Sequence, residues 1–319
     1  MYLEEIIMKK ISIVSSCYNE EQNLDELYTR VTAQFEKFKD KYEFEYILAD
    51  NGSTDNTASK LREFAKKDSR FKIIINSRNF GHIKSPYNAI LAANSDAVIS
   101  IVSDLQDPPE LISELIKKWE EGYKVVLLQK NVSEENPIIF NLRKLYYYVL
   151  SKIADNGVEL AQNCIGSGLI DRCVVDYLRQ IDDPYPYYRG LVCEVGFDRA
   201  YVTFNQPVRK KGISANNFYT LYDMAMTGLV KNSKLPLRFM AIFGFLMSII
   251  TFLISVIYLV WKLINWDKFS FGLAPIIISI TFIGSVQLFC LGLLGEYIAA
   301  IYTRIDKKPL VAEKERINF

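Results

Sequence analysis

The sequence predicts an α/β fold: a mostly parallel, doubly wound sheet followed by a two-helix membrane hairpin. Three observations carry this. Between Lys10 and Leu128, short β-branched runs alternate five times with amphipathic stretches, the pattern of a parallel sheet with crossover helices. Polar clusters follow three of the runs: Tyr18-Asn19-Glu20, Asp50-Asn51-Gly52-Ser53 and Asp104-Leu105-Gln106-Asp107. In open α/β sheets that edge binds ligands. Finally, 239–261 and 269–295 carry no charge, and each is long enough to span a bilayer.

Residues 10–16 are the first predicted strand. The helix after it has Leu24, Leu27, Val31 and Phe35 at helical spacing, Asn19 as expected cap and Glu20 to Asp25 as an acid-rich start. Residues 43–49 are the second strand, ending in the polar turn 50–57, and a helix runs on through Leu61 and Phe64. The third strand is 71–75, followed by a loop over 76–82 and a helix through 89–93. Residues 97–102 form the fourth strand. It delivers Asp104, Gln106 and Asp107 into a turn fixed by Pro108 and Pro109. A helix over 110–121 and a strand over 124–128 complete the alternation.

Carboxylate and amide oxygens just past a strand end are hard ligands for Mg²⁺ or Mn²⁺. Taken alone, the Asp104 turn reads equally as an acidic surface turn capping the helix near Glu110. Three polar clusters on one sheet edge favour a nucleotide-and-metal pocket over three capped turns. No GxxxxGK[ST] or GxGxxG motif occurs, which argues against P-loop and dinucleotide sites.

Composition narrows the classes further. Net charge is +1, so no basic excess points to nucleic acid. His82 is the single histidine, which excludes a multi-histidine metal site. Cys17, Cys164, Cys173, Cys193 and Cys290 show no zinc-ligand spacing, and reduced cytosolic thiols are expected. Residues 1–10 carry Glu4 and Glu5 without an apolar core, so no secretory signal is expected.

In the second half, 142–153 reads as a helix with a Tyr146–Tyr148 face, 162–168 as a flexible loop and 200–204 as a strand. Arg189 is either an ion-pair partner or an anion ligand. Arg209, Lys210 and Lys211 form either a solvated charge run or a phosphate site. Phe218, Leu221, Tyr222, Ala225 and Leu229 share one face of an expected interfacial helix. Lys231, Lys234, Arg238, Arg304, Lys307 and Lys308 flank the hairpin, against Lys262 and Lys268 in its turn. The positive-inside rule therefore places the N-terminal domain and both termini in the cytoplasm. Gly284, Gly292 and Gly295 allow close helix approach and self-association. The expected organisation is a domain over 1–214, an interfacial region over 215–235, two spans within 236–303 (about 237–263 and 270–300) and a cytosolic tail over 304–319.

Tyr18-Asn-Glu-Glu, Asp50-Asn-Gly-Ser-Thr-Asp, Ser77-Arg-Asn-Phe-Gly and Asp104-Leu-Gln-Asp-Pro-Pro-Glu-Leu-Ile, in that order, resemble family-2 glycosyltransferases of the polyprenyl-phosphate sugar transferase branch. Dolichol-phosphate mannose synthases and bactoprenol glucosyltransferases belong to that branch. The resemblance continues through Arg189-Gly-Leu-Val, Val195-Gly-Phe197, Gly212-Ile-Ser214 and the paired membrane segments. It implies a GT-A-type domain that moves a sugar from a nucleotide-sugar donor to polyprenyl (undecaprenyl) phosphate. Transfer would occur with inversion at the cytosolic face of the bacterial inner membrane, for cell-envelope glycan or lipopolysaccharide modification.

By the same resemblance, Asp104 and Gln106 hold Mg²⁺ or Mn²⁺, and Asp104 and Asp107 are the catalytic carboxylates. Tyr18, Asn19, Glu20, Asp50, Ser53, Arg78, Asn79 and Gly81 form the nucleotide-sugar site. Lys130, Arg143, Arg189, Arg209 and Ser214 are the acceptor-phosphate candidates. The sequence departs from the family pattern at four places. Val102 stands at the first position of its Asp-x-Asp, and Asn51 at the second of a paired Asp-Asp. Gly166-Ser-Gly168 replaces an Asp-containing loop, and Ala215-Asn216 replaces a Lys-Tyr pair. These departures leave two alternatives: a transferase with another membrane-linked acceptor, or a non-catalytic relative that binds nucleotide or lipid.

Overall fold

The computed structural model describes residues 8–131, 164–207, 226, 235–264, 273–305 and 308–319. Arg143, Arg209, Ser214, the Tyr146–Tyr148 face and the expected interfacial helix lie outside them.

The alternation expected from sequence is present: β1 (Lys9–Cys17), α1 (Leu24–Phe38), β2 (Tyr42–Asp50), α2 (Thr57–Lys67), β3 (Phe71–Asn76), α3 (Gly81–Ala92) and β4 (Ala97–Ser100). A 3-10 turn at Pro109–Leu111 leads into α4 (Ile112–Glu120) and β5 (Val125–Lys130). Then come β6 (Cys164–Asp171), α5 (Arg172–Ile181), α6 (Tyr188–Glu194) and β7 (Arg199–Phe204). Two long helices, α7 (Leu235–Ile264) and α8 (Leu273–Ile305), precede β8 (Glu313–Ile317).

All eight strands form one sheet in the order β7-β5-β6-β4-β1-β2-β3-β8. β1, β2, β3 and β4 pair in parallel, as do β5 and β7, whereas β6 and β8 run antiparallel to their neighbours. Helices cover both faces. On one side Leu24, Leu27, Val31 and Phe35 of α1 pack with Leu61 of α2, Ile112 and Leu115 of α4, and Ile11, Ile13, Tyr46, Leu48 and Ile73 of the sheet. On the other, Tyr87 and Ile90 of α3 and Val174 and Leu178 of α5 meet Val14, Ile47 and Ile74. Each such side chain contributes ~1.5–3 kcal/mol on burial. Burial on both faces is why the central strands read as nearly unbroken apolar runs.

Three expectations are corrected. The 162–168 stretch is not simply a flexible loop: from Cys164 it is β6, inserted between β4 and β5. Gly168 permits this, because a Cβ there would meet the Val126 carbonyl oxygen at 2.1 Å. Asn19 does not cap α1. Asn23 occupies that position, and Asn19 adopts φ 56° in the loop before it. The segment after the hairpin is not merely a tail, since β8 extends the sheet beside β3.

α7 and α8 are 30 and 33 residues long. Both are long and apolar enough to cross a membrane. Many of their large side chains face outward, with Phe239 70% exposed and Leu288 73%, whereas Tyr297 is buried. A Cβ on Gly284, Gly292 or Gly295 would meet no other atom within 4 Å.

Candidate active site

β1 and β2 end together, with Cys17 opposite Asp50 in the register. The loops beyond them are joined. The Asn19 amide donates to Ser53 Oγ at 2.9 Å, and Asn19 Oδ1 accepts the Thr54 amide at 2.9 Å. The Glu20 amide donates to Thr57 Oγ1 at 2.9 Å. The positive φ of Asn19 fits this work, because a short polar side chain tolerates that backbone and bonds locally. Tyr18 projects from the joined loops with 44% of its surface exposed, an aromatic face open for stacking. Glu20 is buried and accepts from Asn23 Nδ2 at 2.5 Å. Asp50 is also buried, and both its oxygens accept the Ser53 amide at 3.3 Å. Burial raises the Asp50 carboxyl above its usual range.

The β3 loop is clamped onto this pair. Asn51 Nδ2 donates to Asn79 Oδ1 at 3.0 Å and to the Gly81 carbonyl at 3.1 Å, while Asn51 Oδ1 accepts the Phe80 amide at 2.9 Å. An aspartate at 51 has no such donor. Asn79 Oδ1 also accepts the Gly81 amide at 2.8 Å. Gly52 is required by close approach: its φ is +72°, and a Cβ would meet the Arg78 carbonyl carbon at 2.5 Å. Arg78 lies with its guanidinium 4.0 Å from the Phe80 ring centroid. Seven of the eight expected nucleotide-sugar residues thus belong to one bonded loop system, and Arg78 sits at its rim.

The acidic turn follows β4. Leu105 has φ 62°, and Asp104 Oδ1 accepts the Gln106 amide at 3.1 Å. Asp104 and Gln106 are half-buried, and Val102 is 38% exposed. Asp107, expected beside Asp104 as a working carboxylate, has 0% of its surface exposed. Its Oδ2 accepts the Val102 amide at 3.2 Å and Ser167 Oγ at 2.5 Å. Its Oδ1 has no hydrogen-bond partner among the described residues. Burial pushes this carboxyl up to about 6, against the lowering bonds from Ser167 and Val102; Asp104 raises it further and Lys130 lowers it. Asp107 therefore holds the turn closed and does not face solvent. Ser103, also buried, ties the turn to β1 by donating to the Ser16 carbonyl at 3.0 Å.

Two acceptor-phosphate candidates reach the same edge. Lys130 ends β5, close enough for its charge to act on Asp107. The exposed Arg189 lies over Gly166, where a Cβ would come within 3.2 Å of the Arg189 Nε. Gly166 has φ +87°, so any side chain there would be strained as well as crowded against Arg189.

Among the described residues no group of three or more His, Cys, Asp or Glu side chains is placed to hold a metal. The available donors are the Asp104 carboxylate and the Gln106 amide. Hard oxygens this few suit Mg²⁺ or Mn²⁺ whose remaining ligands are water and substrate phosphate.

Sequence reasoning missed Asn76, Ser85 and Ser167. Asn76 Nδ2 donates to Asn51 Oδ1 at 3.3 Å and to Ser85 Oγ at 3.1 Å. Ser85 Oγ also bonds Ser16 Oγ at 2.9 Å. Their only sequence signal is polarity within otherwise apolar strand and helix faces.

A sheet edge of this kind, with joined polar loops beside a turn whose Asp104 is only half-buried, fits a nucleotide-sugar transferase. Residues 12–173 match glycosyl transferase family 2, and residues 235–301 match the GtrB C-terminal hairpin. The chain belongs to glycosyl transferase family 2 and is a glycosyltransferase. It is 32% identical over 304 residues to the SfII prophage-derived bactoprenol glucosyl transferase of Shigella flexneri, covering 94% of this chain and 96% of that one. It is 34% identical over 301 residues to the uncharacterized glycosyltransferase YkcC of Bacillus subtilis, covering 94% and 91%. The solved glucosyl-3-phosphoglycerate synthase of Mycobacterium tuberculosis overlays 70% of this chain and 76% of its own, at 18% identity and a TM-score of 0.49.

Proposed function

We propose that this glycosyltransferase moves a sugar from a nucleoside-diphosphate donor to polyprenyl phosphate at the cytoplasmic face of the bacterial inner membrane. The observation that carries the reading is the return of the chain after α8. β8 lies in the sheet that carries the donor loops, so the chain leaving the apolar hairpin returns to the domain. One substrate then comes from water and the other from the bilayer. The Shigella relative's name supports a bactoprenol acceptor.

Tyr18 stacks on the nucleotide base, and the joined Asn19–Ser53 and Asn51–Asn79 loops hold the donor in one pose. Asp104 and Gln106 would hold Mg²⁺ or Mn²⁺, which when bound would supply charge neutralisation for the departing diphosphate. Lys130 and Arg189 orient the acceptor phosphate. A phosphate monoester has a second pKa near ~6 and is largely dianionic at neutral pH, so it attacks the anomeric carbon without a general base. The sealed position of Asp107 agrees with that. Attack opposite the leaving diphosphate inverts the anomeric centre.

The test is a donor screen. Purified full-length protein in detergent receives undecaprenyl phosphate and a panel of sugar nucleotides, with and without EDTA. A lipid-linked sugar from one donor, lost with EDTA, is expected. Folded protein that yields no lipid-linked product from any donor overturns the proposal.

A further inference from the structure

We propose that β8 is a positioning strap, which makes the shape of the donor loops depend on the seating of the membrane hairpin. Its sequence, Glu-Lys-Glu-Arg-Ile, has little of the apolar alternation that drives strand formation. It is held by specific ties to the elements around the donor site. In the ladder Ile73 pairs with Ile317, Ile74 with Arg316 and Ile75 with Glu315. The register then shifts, and Asn76 pairs with Glu313. A bulge of this kind re-aims side chains.

Just beyond it, the Ala312 carbonyl accepts the Ser77 amide at 2.9 Å, at the first residue of the donor loop. Glu313 Oε1 accepts from Asn88 Nδ2 at 2.9 Å, on the helix that follows that loop. The strap thus grips the Ser77–Gly81 loop on both sides, and Asn51 clamps its middle. Glu315 pairs with Arg62 of α2 at 2.7 Å, and Asn318 Nδ2 donates to the Ala65 and Phe71 carbonyls at 2.9 Å each.

The other end of the strap is α8. Residues 306–312 are the whole connection between Ile305 and Glu313, and fully extended they reach no more than ~25 Å. Val311 within that connection is buried, and Leu310 packs against the core. A hairpin that is withdrawn or differently seated therefore pulls on β8, and through Ser77 and Asn88 on the donor loop.

Two variants in detergent test this beside wild type: a chain ending at Lys308, and the full-length Glu313→Ala/Glu315→Ala/Asn318→Ala, which keeps the backbone strand. Amide hydrogen exchange over residues 77–81 is expected to rise about tenfold in the triple variant, and at least as much in the shortened chain, while β1 stays protected. Donor KM is expected to rise about fivefold with acceptor KM unchanged. The charge swap Arg62→Glu/Glu315→Arg is expected to behave as wild type, whereas Arg62→Glu alone is not. Unchanged exchange over 77–81 in the triple variant overturns the strap, as does faster exchange spread evenly over the domain. Faster loop exchange with unchanged donor KM overturns its link to the donor site. The kinetic arm rests on the proposed transferase reaction. If wild type transfers no sugar, that reading fails, and the exchange arm still decides the strap.

Discussion

Asp50 ends β2 and Asp107 lies in the turn after β4; both are buried, and these strands are the two neighbours of β1. Both oxygens of Asp50 accept the Ser53 amide. Asp107 uses Oδ2 twice and leaves Oδ1 without a partner among the described residues. Burial raises both carboxyls, that of Asp107 to about 6. The donor turn is completed by its own backbone, so its shape is set before a ligand arrives. Among the described residues nothing pairs with Asp107 Oδ1 in the acidic turn, and a buried oxygen so placed costs the fold. What it gains is position: the Asp107 bond to the Val102 amide closes the loop that presents Asp104.

Four substitutions test this contrast. Asp104→Ala removes the only carboxylate of the acidic turn that is not sealed. Transfer is expected to fall on the order of 10³-fold, as measured by lipid-linked product, with folding unchanged. Gly52→Ala forces a Cβ into the Arg78 backbone at a positive φ. A loss of roughly 3 kcal/mol in denaturant unfolding and a weakened donor site are expected.

Asp107→Asn tests the charge itself. The folded carboxyl titrates near 6, above its unfolded value of 3.8. Its stabilising contribution is therefore complete below pH 3.8 and is lost as pH rises through 6. Unfolding of metal-free protein in EDTA should show the variant gaining on wild type by about 2 kcal/mol between pH 4 and pH 7. A constant difference across that range would contradict it. Asn51→Asp replaces a donor that serves Asn79 and Gly81 with an acceptor. Donor KM is expected to rise about tenfold, with ~1 kcal/mol of stability lost.

Much of this was legible in the chain. β1 to β5 and α1 to α4 were readable because a strand buried on both faces must be apolar and its crossover helix must be amphipathic. The polar clusters holding Tyr18, Asn19, Asp50, Ser53 and Asp104 were readable as turns at strand ends, and the structure joins the first two through the Asn19 and Ser53 bonds. The two long apolar helices announced themselves by length. β6 and β8 were not readable. Gly166-Ser-Gly168 looks like a loop until its close approach to β5 is seen, and Glu313–Ile317 carries more charge than apolar surface. Edge and inserted strands take their stability from the neighbour's backbone, which leaves little trace in side-chain pattern. For Asp107 the sequence shows only a carboxylate in a turn, and packing shows that it is buried.

The sequence alone therefore determined the layered α/β domain, the apolar hairpin and the edge of the sheet where the polar turns gather. These follow from hydrophobic periodicity, which is local. The tertiary structure alone decided that Asp107 is sealed, that Asn51 clamps the Asn79 loop and that the chain returns from the hairpin to finish the sheet. Each depends on bonds between residues far apart in the chain, from Asn51 reaching Asn79 to Glu315 reaching Arg62, and no local pattern encodes them.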